Sequence, residues 1–209
     1  MTGRIAVAVM MCLMPGSMLW GDDTQAVQIR ELTEKVQKLE DRVKQLEQLL
    51  RPTQDAERAK GRAASLRPKF EARIAQDQKT YNAIERQEIE SLYQVANRQF
   101  NTPEAQESLK KLIEKYSQAN RTGCALLYLG QMSSGDEKEQ YLTRAIKDFG
   151  DCWYGDGVQV ASYARFHLAA HYQQTGKTAE ATTLLDTIRK EYPDAIDHKG
   201  ILLTELMPK

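Results

Sequence analysis

Two histidines four residues apart, in His167-Leu168-Ala169-Ala170-His171, are the best-spaced metal-binding pair in this 209-residue chain, because residues i and i+4 share one face of a helix. A helix-borne hydrolytic zinc site also needs a carboxylate between the two imidazoles, and Leu168, Ala169 and Ala170 supply none. His198, beside Asp194 and Asp197, adds ligands only if the C-terminal segment folds back onto that helix. The expectation is two structural or solvent-facing histidines, with no metal and no other cofactor. The loop Gly150-Asp151-Cys152-Trp153-Tyr154-Gly155-Asp156-Gly157 is the second candidate. A reactive cysteine needs a base or cation beside it; Asp151 and Asp156 push the Cys152 thiol the other way. A long turn whose Trp153 and Tyr154 cover an exposed end of a core is the expectation here. No phosphate-binding glycine loop and no Ser-His-Asp arrangement is present, so the chain reads as a non-enzyme. The alternatives are a metal-binding or enzymatic helical protein using His167, His171 and the Cys152 loop, or a structural spacer.

The elements behind these residues are all helical. Lys plus Arg total 29 and so do Asp plus Glu, a balance without the basic excess that nucleic-acid binding requires. Residues 1–21 read as a secretory signal, with Arg4 ahead of the apolar run Ile5 to Met14 and a break at Pro15-Gly16-Ser17. That run is too short to span a bilayer. Export to the periplasm or beyond follows, with no stable membrane span once the signal is cleaved and a retained anchor as the alternative. Cys12 lies inside the apolar run and lacks the flanking residues of a lipidated cysteine. Ile29, Leu32, Val36, Leu39, Val43, Leu46 and Leu50 then alternate three- and four-residue steps, which place them at the a and d positions of a coiled coil over residues 22–51. β-Branched residues at three of four a sites and Leu at every d site favour a parallel dimer, with a trimer still open. Lys35 and Arg42 fall at g, Glu40 and Glu47 at e, so opposite charges meet across a parallel pairing. Pro52 is expected to end this helix, and residues 52–79 read as a basic linker or a helical extension, eight Lys and Arg meeting four Asp and Glu from Arg51 to Lys79.

Residues 80–209 form helix pairs that repeat. The clearest copy carries Leu168, Ala169 and Tyr172 on one helix, a turn at Gly176, Ala181, Leu185 and Ile188 on the next, and a stop at Pro193. A second copy has Leu129-Gly130 followed by Leu142, Ile146 and Phe149, its turn glycine shifted to Gly135. The third has Leu92, Tyr93 and Ala96 followed by Ala105, Leu109, Leu112 and Tyr116, opened by Asn101-Thr102-Pro103-Glu104. Asp197 to Met207 reads as a capping helix. These spacings resemble the tetratricopeptide repeat, and three such units give a continuous core. With the signal and the coiled coil, the architecture resembles the CpoB (YbgF) family of periplasmic cell-division coordinators associated with the Tol-Pal system. The resemblance implies an adaptor that self-associates and takes a protein or peptide on a groove lined by Glu90, Gln94, Asn97, Leu127, Gln131, Phe166, Ala170 and Gln173. Two cysteines remain after signal removal, Cys124 and Cys152, and an even pair in an exported protein is either one disulfide or two buried thiols.

Overall fold

The computed structural model describes residues 22–208; the signal segment and Cys12 lie outside them. The fold is all-α. Eight helices follow one another among the described residues: α1 Asp22–Thr80, α2 Ala83–Arg98, α3 Pro103–Lys115, α4 Asn120–Met132, α5 Gly135–Asp148, α6 Val160–Gln174, α7 Thr178–Glu191 and α8 Leu203–Leu206. Among the described residues, pairing of extended backbone is confined to two isolated bridges, Trp153 with Gln159 and Ile196 with Leu202. The chain divides after Pro52 into two units.

In the first unit α1 is a bare amphipathic helix. All seven residues of the a and d seam are at least half exposed, from Leu46 at 51% to Ile29 at 64%. The ion pairs of this stretch, Arg30 with Glu34 and Lys44 with Asp41, leave the predicted e and g charges Lys35, Glu40, Arg42 and Glu47 out. Pro52 does not end the helix, contrary to the expectation. A proline inside a helix forfeits one backbone hydrogen bond and costs about 3 kcal/mol; residues 53–80 remain helical because their side chains are anchored in the second unit.

In the second unit three helix hairpins follow in order, α2 on α3, α4 on α5 and α6 on α7, while α2, α4 and α6 are successive neighbours. The first two starts have a local cause. Asn82 accepts from the amides of Ile84 and Glu85, and Glu85 reaches back to the Asn82 amide, a complete capping box. Thr102 caps α3, with Pro103 in the first turn, where its missing N–H costs nothing. Helix α4 has no side-chain cap of its own at Ala119. Its first amide, that of Asn120, donates instead to the Asp77 carboxylate at 2.9 Å, from the far end of α1. Leu109, Leu112, Leu126, Leu127, Leu129 and Leu142 fill the main core without measurable exposure or nearly so. Glycines let α4 lie close on α5 and on the link that follows it: a Cβ at Gly130 would meet Leu142 of α5, and one at Gly123 would meet Phe149 and Cys152 beyond its end.

The links between hairpins repeat as well. Each second helix ends on an aromatic residue whose carbonyl accepts from the amide of a small buried residue three positions on: Tyr116 to Ala119, Phe149 to Cys152, Tyr192 to Ala195. After Ala119 the chain enters α4 at once. After Cys152 and Ala195 it instead makes two equivalent small hairpins. Tyr154 N–H donates to Val158 and Val160 N–H to Cys152 in one; Asp197 N–H donates to Ile201 and Leu203 N–H to Ala195 in the other. The capping helix expected over Asp197 to Met207 is therefore a correction: Asp197 to Ile201 form the second hairpin, with Gly200 at φ 76°, and the helix that follows is the single turn α8.

Residues 53–80 of α1 run along all three links in reverse order. Ala59 meets the backbone of Gly200, where a Cβ would come within 2.9 Å of Ala59 atoms. Ala63 and Leu66 lie over Gly157, at φ 92°, and Leu66 shares a small core with Trp153 and Ile196. Arg73 pairs with Asp77 and donates to the Gln118 carbonyl at 2.6 Å. The basic linker reading thus gives way to its alternative: the segment is a helical extension that straps the array.

Candidate functional site

The face formed by α2, α4 and α6 carries most of the predicted groove residues, and on α2 and α4 it is knit by a polar relay. Arg121 grips Glu90 in two-pronged fashion, Nε to Oε2 at 2.8 Å and Nη2 to Oε1 at 3.1 Å. Gln94 donates to Glu90 at 2.6 Å, Asn97 donates to Gln94 at 3.2 Å, and the Tyr128 hydroxyl donates to Asn97 at 2.7 Å. Gln94 and Asn97 follow Glu90 on one helical face, so the same stripe meets α4 throughout. Farther along, the Gln131 amide meets Nε2 of His167 at 3.1 Å, joining α4 to α6.

Two of the expected residues, Leu127 and Phe166, sit differently. Leu127 has no exposure and belongs to the core. Helix α4 is flanked on both sides by other helices, so its open stripe is Arg121, Tyr128 and Gln131; it keeps the expected Gln131 and has Tyr128 where Leu127 was expected. Phe166 is half-buried and shares its packing with the small core of α7 and α8, although its ring still stacks parallel to Tyr163 at 6.3 Å. Gln173 is exposed and Ala170 half-buried at the far end of α6.

An aromatic row was not anticipated. Phe100, at the α2–α3 turn, meets Tyr128 edge-on at 5.9 Å; Tyr128 meets Tyr154 at 6.0 Å; Tyr154 meets His198 at 4.8 Å; His198 meets Tyr163 at 5.2 Å. The two small hairpins deliver Tyr154 and His198 to this row, and Asp156 of the first bonds Nδ1 of His198 of the second at 2.7 Å. Spacing within single helices could not reveal it, because its members come from five different segments.

The groups singled out for chemistry are placed as follows. Burial, with Lys138 and His198 adding to it, holds His167 in its neutral form and lowers its pKa to about 4. His198 turns to Asp156 rather than to His167 or His171. Among the described residues no group of three or more His, Cys, Asp or Glu is placed to hold a metal ion. Cys124 and Cys152 are both buried and unbridged. Burial pushes the Cys124 thiol up to about 12. Cys152 is raised too, first by burial and then by Cys124, with Arg73 opposing and Asp151 adding a smaller push. Trp153 and Tyr154 point to opposite sides of their hairpin, Trp153 under Leu66 and Lys69, Tyr154 into the main core with its hydroxyl on the Cys124 carbonyl at 3.1 Å.

No protein-family model, curated protein or solved structure matches the chain.

Proposed function

We propose that this protein is an exported, non-enzymatic oligomeric adaptor: α1 assembles copies through its heptad stripe, and the face of α2, α4 and α6 holds a protein or peptide partner. One observation carries the reading. Seven apolar residues at a and d spacing stand at least half exposed along one helix, an arrangement that is costly in water unless another helix covers it. The face supports the second half of the reading, being open, polar and prearranged by the Glu90–Arg121 relay, a surface suited to an extended or helical peptide more than to a small molecule. Periplasmic location and a role in envelope or cell-division machinery rest on the sequence of residues 1–21 and on the family resemblance.

The test uses the chain from Asp22 and a shorter one from Thr53, because residues 53–80 belong to the folded second unit. Light scattering is expected to give a dimer or trimer for the first and a monomer for the second. A monomer for both at micromolar concentration would reject assembly through α1.

A further inference from the structure

We infer that a cleft beneath the strap is a binding site for a small α-amino acid, taken as its zwitterion. None of the lining residues belongs to α2, α4 or α6, so the inference goes beyond the adaptor reading and stands independently of it.

The cleft has a volume of about 220 Å³ and lies between α1, the hairpin that begins at Cys152, and the end of α7. Its apolar floor is Leu66 and Trp153. Trp153 is 8% exposed, and its backbone is fully engaged with Asn120, the N–H on Oδ1 and the carbonyl on Nδ2, both at 2.8 Å. Its indole N–H donates to no described residue, and it is not among the polar atoms closed off from solvent. A buried tryptophan ordinarily finds a partner for that group; here the open side of the residue is the cleft, which leaves an unused donor facing it. Charge is sorted across the same space. Lys69 of α1 holds its ammonium over the Trp153 ring, 5.2 Å from the centroid, so two donors stand on one wall, while Glu191 at the end of α7 and Asp194 just beyond it stand on the other. The neighbouring charges Arg67 and Glu71, and Arg189 and Asp186, pair within their own helices, whereas Lys69, Glu191 and Asp194 take part in no ion pair among the described residues. Arg165, which lies over the Tyr192 ring at 5.1 Å, donates to the Ala161 carbonyl of its own helix. A molecule carrying a carboxylate and an ammonium close together satisfies both walls at once: the carboxylate accepts from the indole N–H and from Lys69, and the ammonium donates to Glu191 and Asp194. Either charge alone leaves one wall unmatched. Size narrows the class further. At about 30 Å³ per water the cleft has room for about seven waters, below the range of about 300 to 1,000 Å³ that drug-sized ligands occupy, so it takes an amino acid with a short side chain and is too small for a peptide.

The sequence has two tryptophans, Trp20 and Trp153, so the chain from Asp22 carries Trp153 alone and its fluorescence reports on the cleft. L-Alanine, L-serine and L-threonine are titrated against that chain, with propionate and ethylamine as the analogues of alanine that lack the amine or the carboxylate. Isothermal titration calorimetry reads any binding that leaves the emission unchanged. Saturable binding of at least one amino acid is expected at millimolar concentration or below, at least tenfold tighter than that of propionate or ethylamine. Lys69→Gln, and separately Glu191→Gln with Asp194→Asn, are each expected to weaken it tenfold or more. All three residues are exposed, so the variants leave the core intact, and circular dichroism checks that. No saturable binding by either method, binding of propionate or ethylamine as tight as that of the amino acids, or unchanged affinity in either charge variant overturns the inference. None of these outcomes bears on the assembly of α1, which light scattering decides separately.

Discussion

His167 makes the pH response of this domain calculable. Its Nε2 faces the Gln131 amide, and the imidazole is neutral in the folded state, its pKa lowered to about 4 from an ordinary 6.5. Between those values the unfolded chain takes up a proton that the folded chain refuses. Stability is therefore full above pH 6.5 and falls, by up to about 3 kcal/mol, as the pH drops toward 4. Urea unfolding at several pH values should show that loss in the native sequence and a flatter profile in His167→Gln; parallel profiles would refute the assignment. Cys152 has a different meaning. It occupies the position held by Ala119 and Ala195 in the other two links, so a small buried side chain is all the fold requires there. Cys152→Ala is expected to change stability by less than about 1 kcal/mol, and both thiols to alkylate only after denaturation. A mass two units lower in the native protein would instead show the disulfide. Leu127 shows where sequence reading missed: an apolar residue one place off the open stripe looks like a groove anchor until the neighbours of α4 are known. Leu127→Ala should cost about 2 to 5 kcal/mol, as for other buried leucines, which makes it a folding variant and not a binding one.

Helix periodicity made α2 to α7 legible, because each carries its own apolar stripe, and α2 and α3 carry their own side-chain caps as well. The strap was not legible for a definite reason. Ala59, Ala63, Leu66 and Phe70 form a narrow stripe, half of it alanine, and much of what the alanines meet is backbone at Gly157 and Gly200, which have no side chain to signal a contact. The two hairpins did leave a trace, since Asp151-Cys152-Trp153 with Gly157-Val158 and Asp194-Ala195-Ile196 with Gly200-Ile201 share one pattern, but it becomes recognisable only when the hydrogen bonds are aligned. Gly200→Ala should lift the strap, because the added methyl meets Ala59 backbone within 3 Å and a positive φ is strained for alanine as well. Hydrogen exchange should then rise over residues 55–70 while α4 and α5 stay protected. Equal protection throughout would mean that the strap contributes nothing. For the same reason a fragment beginning at Tyr81 is expected to be less stable than one beginning at Thr53: it bares Leu66's partners Trp153 and Ile196, and strips α4 of the Asp77 carboxylate that caps it.

For the assembly proposed above, the informative charges are those that the isolated helix does not use. Lys35 and Arg42 at g and Glu40 and Glu47 at e take no part in the ion pairs of α1, although Arg30, Glu34, Asp41 and Lys44 do. In a parallel, in-register pairing each cation meets a carboxylate of the neighbouring copy, and such contacts decide which partners are accepted more than they add to affinity. Copies joined this way would present several peptide-binding faces together, raising the effective concentration at each face once the first is occupied. The charge pattern can be broken and restored. Glu40→Lys with Glu47→Lys makes both flanks of the seam positive, and Lys35→Glu with Arg42→Glu makes both negative. Each double variant alone should assemble markedly less well than the native chain at low salt, while an equimolar mixture should recover assembly as mixed oligomers, detectable when one variant carries a tag and the other is captured with it. The recovery should weaken as salt is raised, because these positions are exposed and screened. Double variants that each assemble as well as the native chain would show that these charges do not face one another, and the parallel register would have to be abandoned even if the apolar seam still closes.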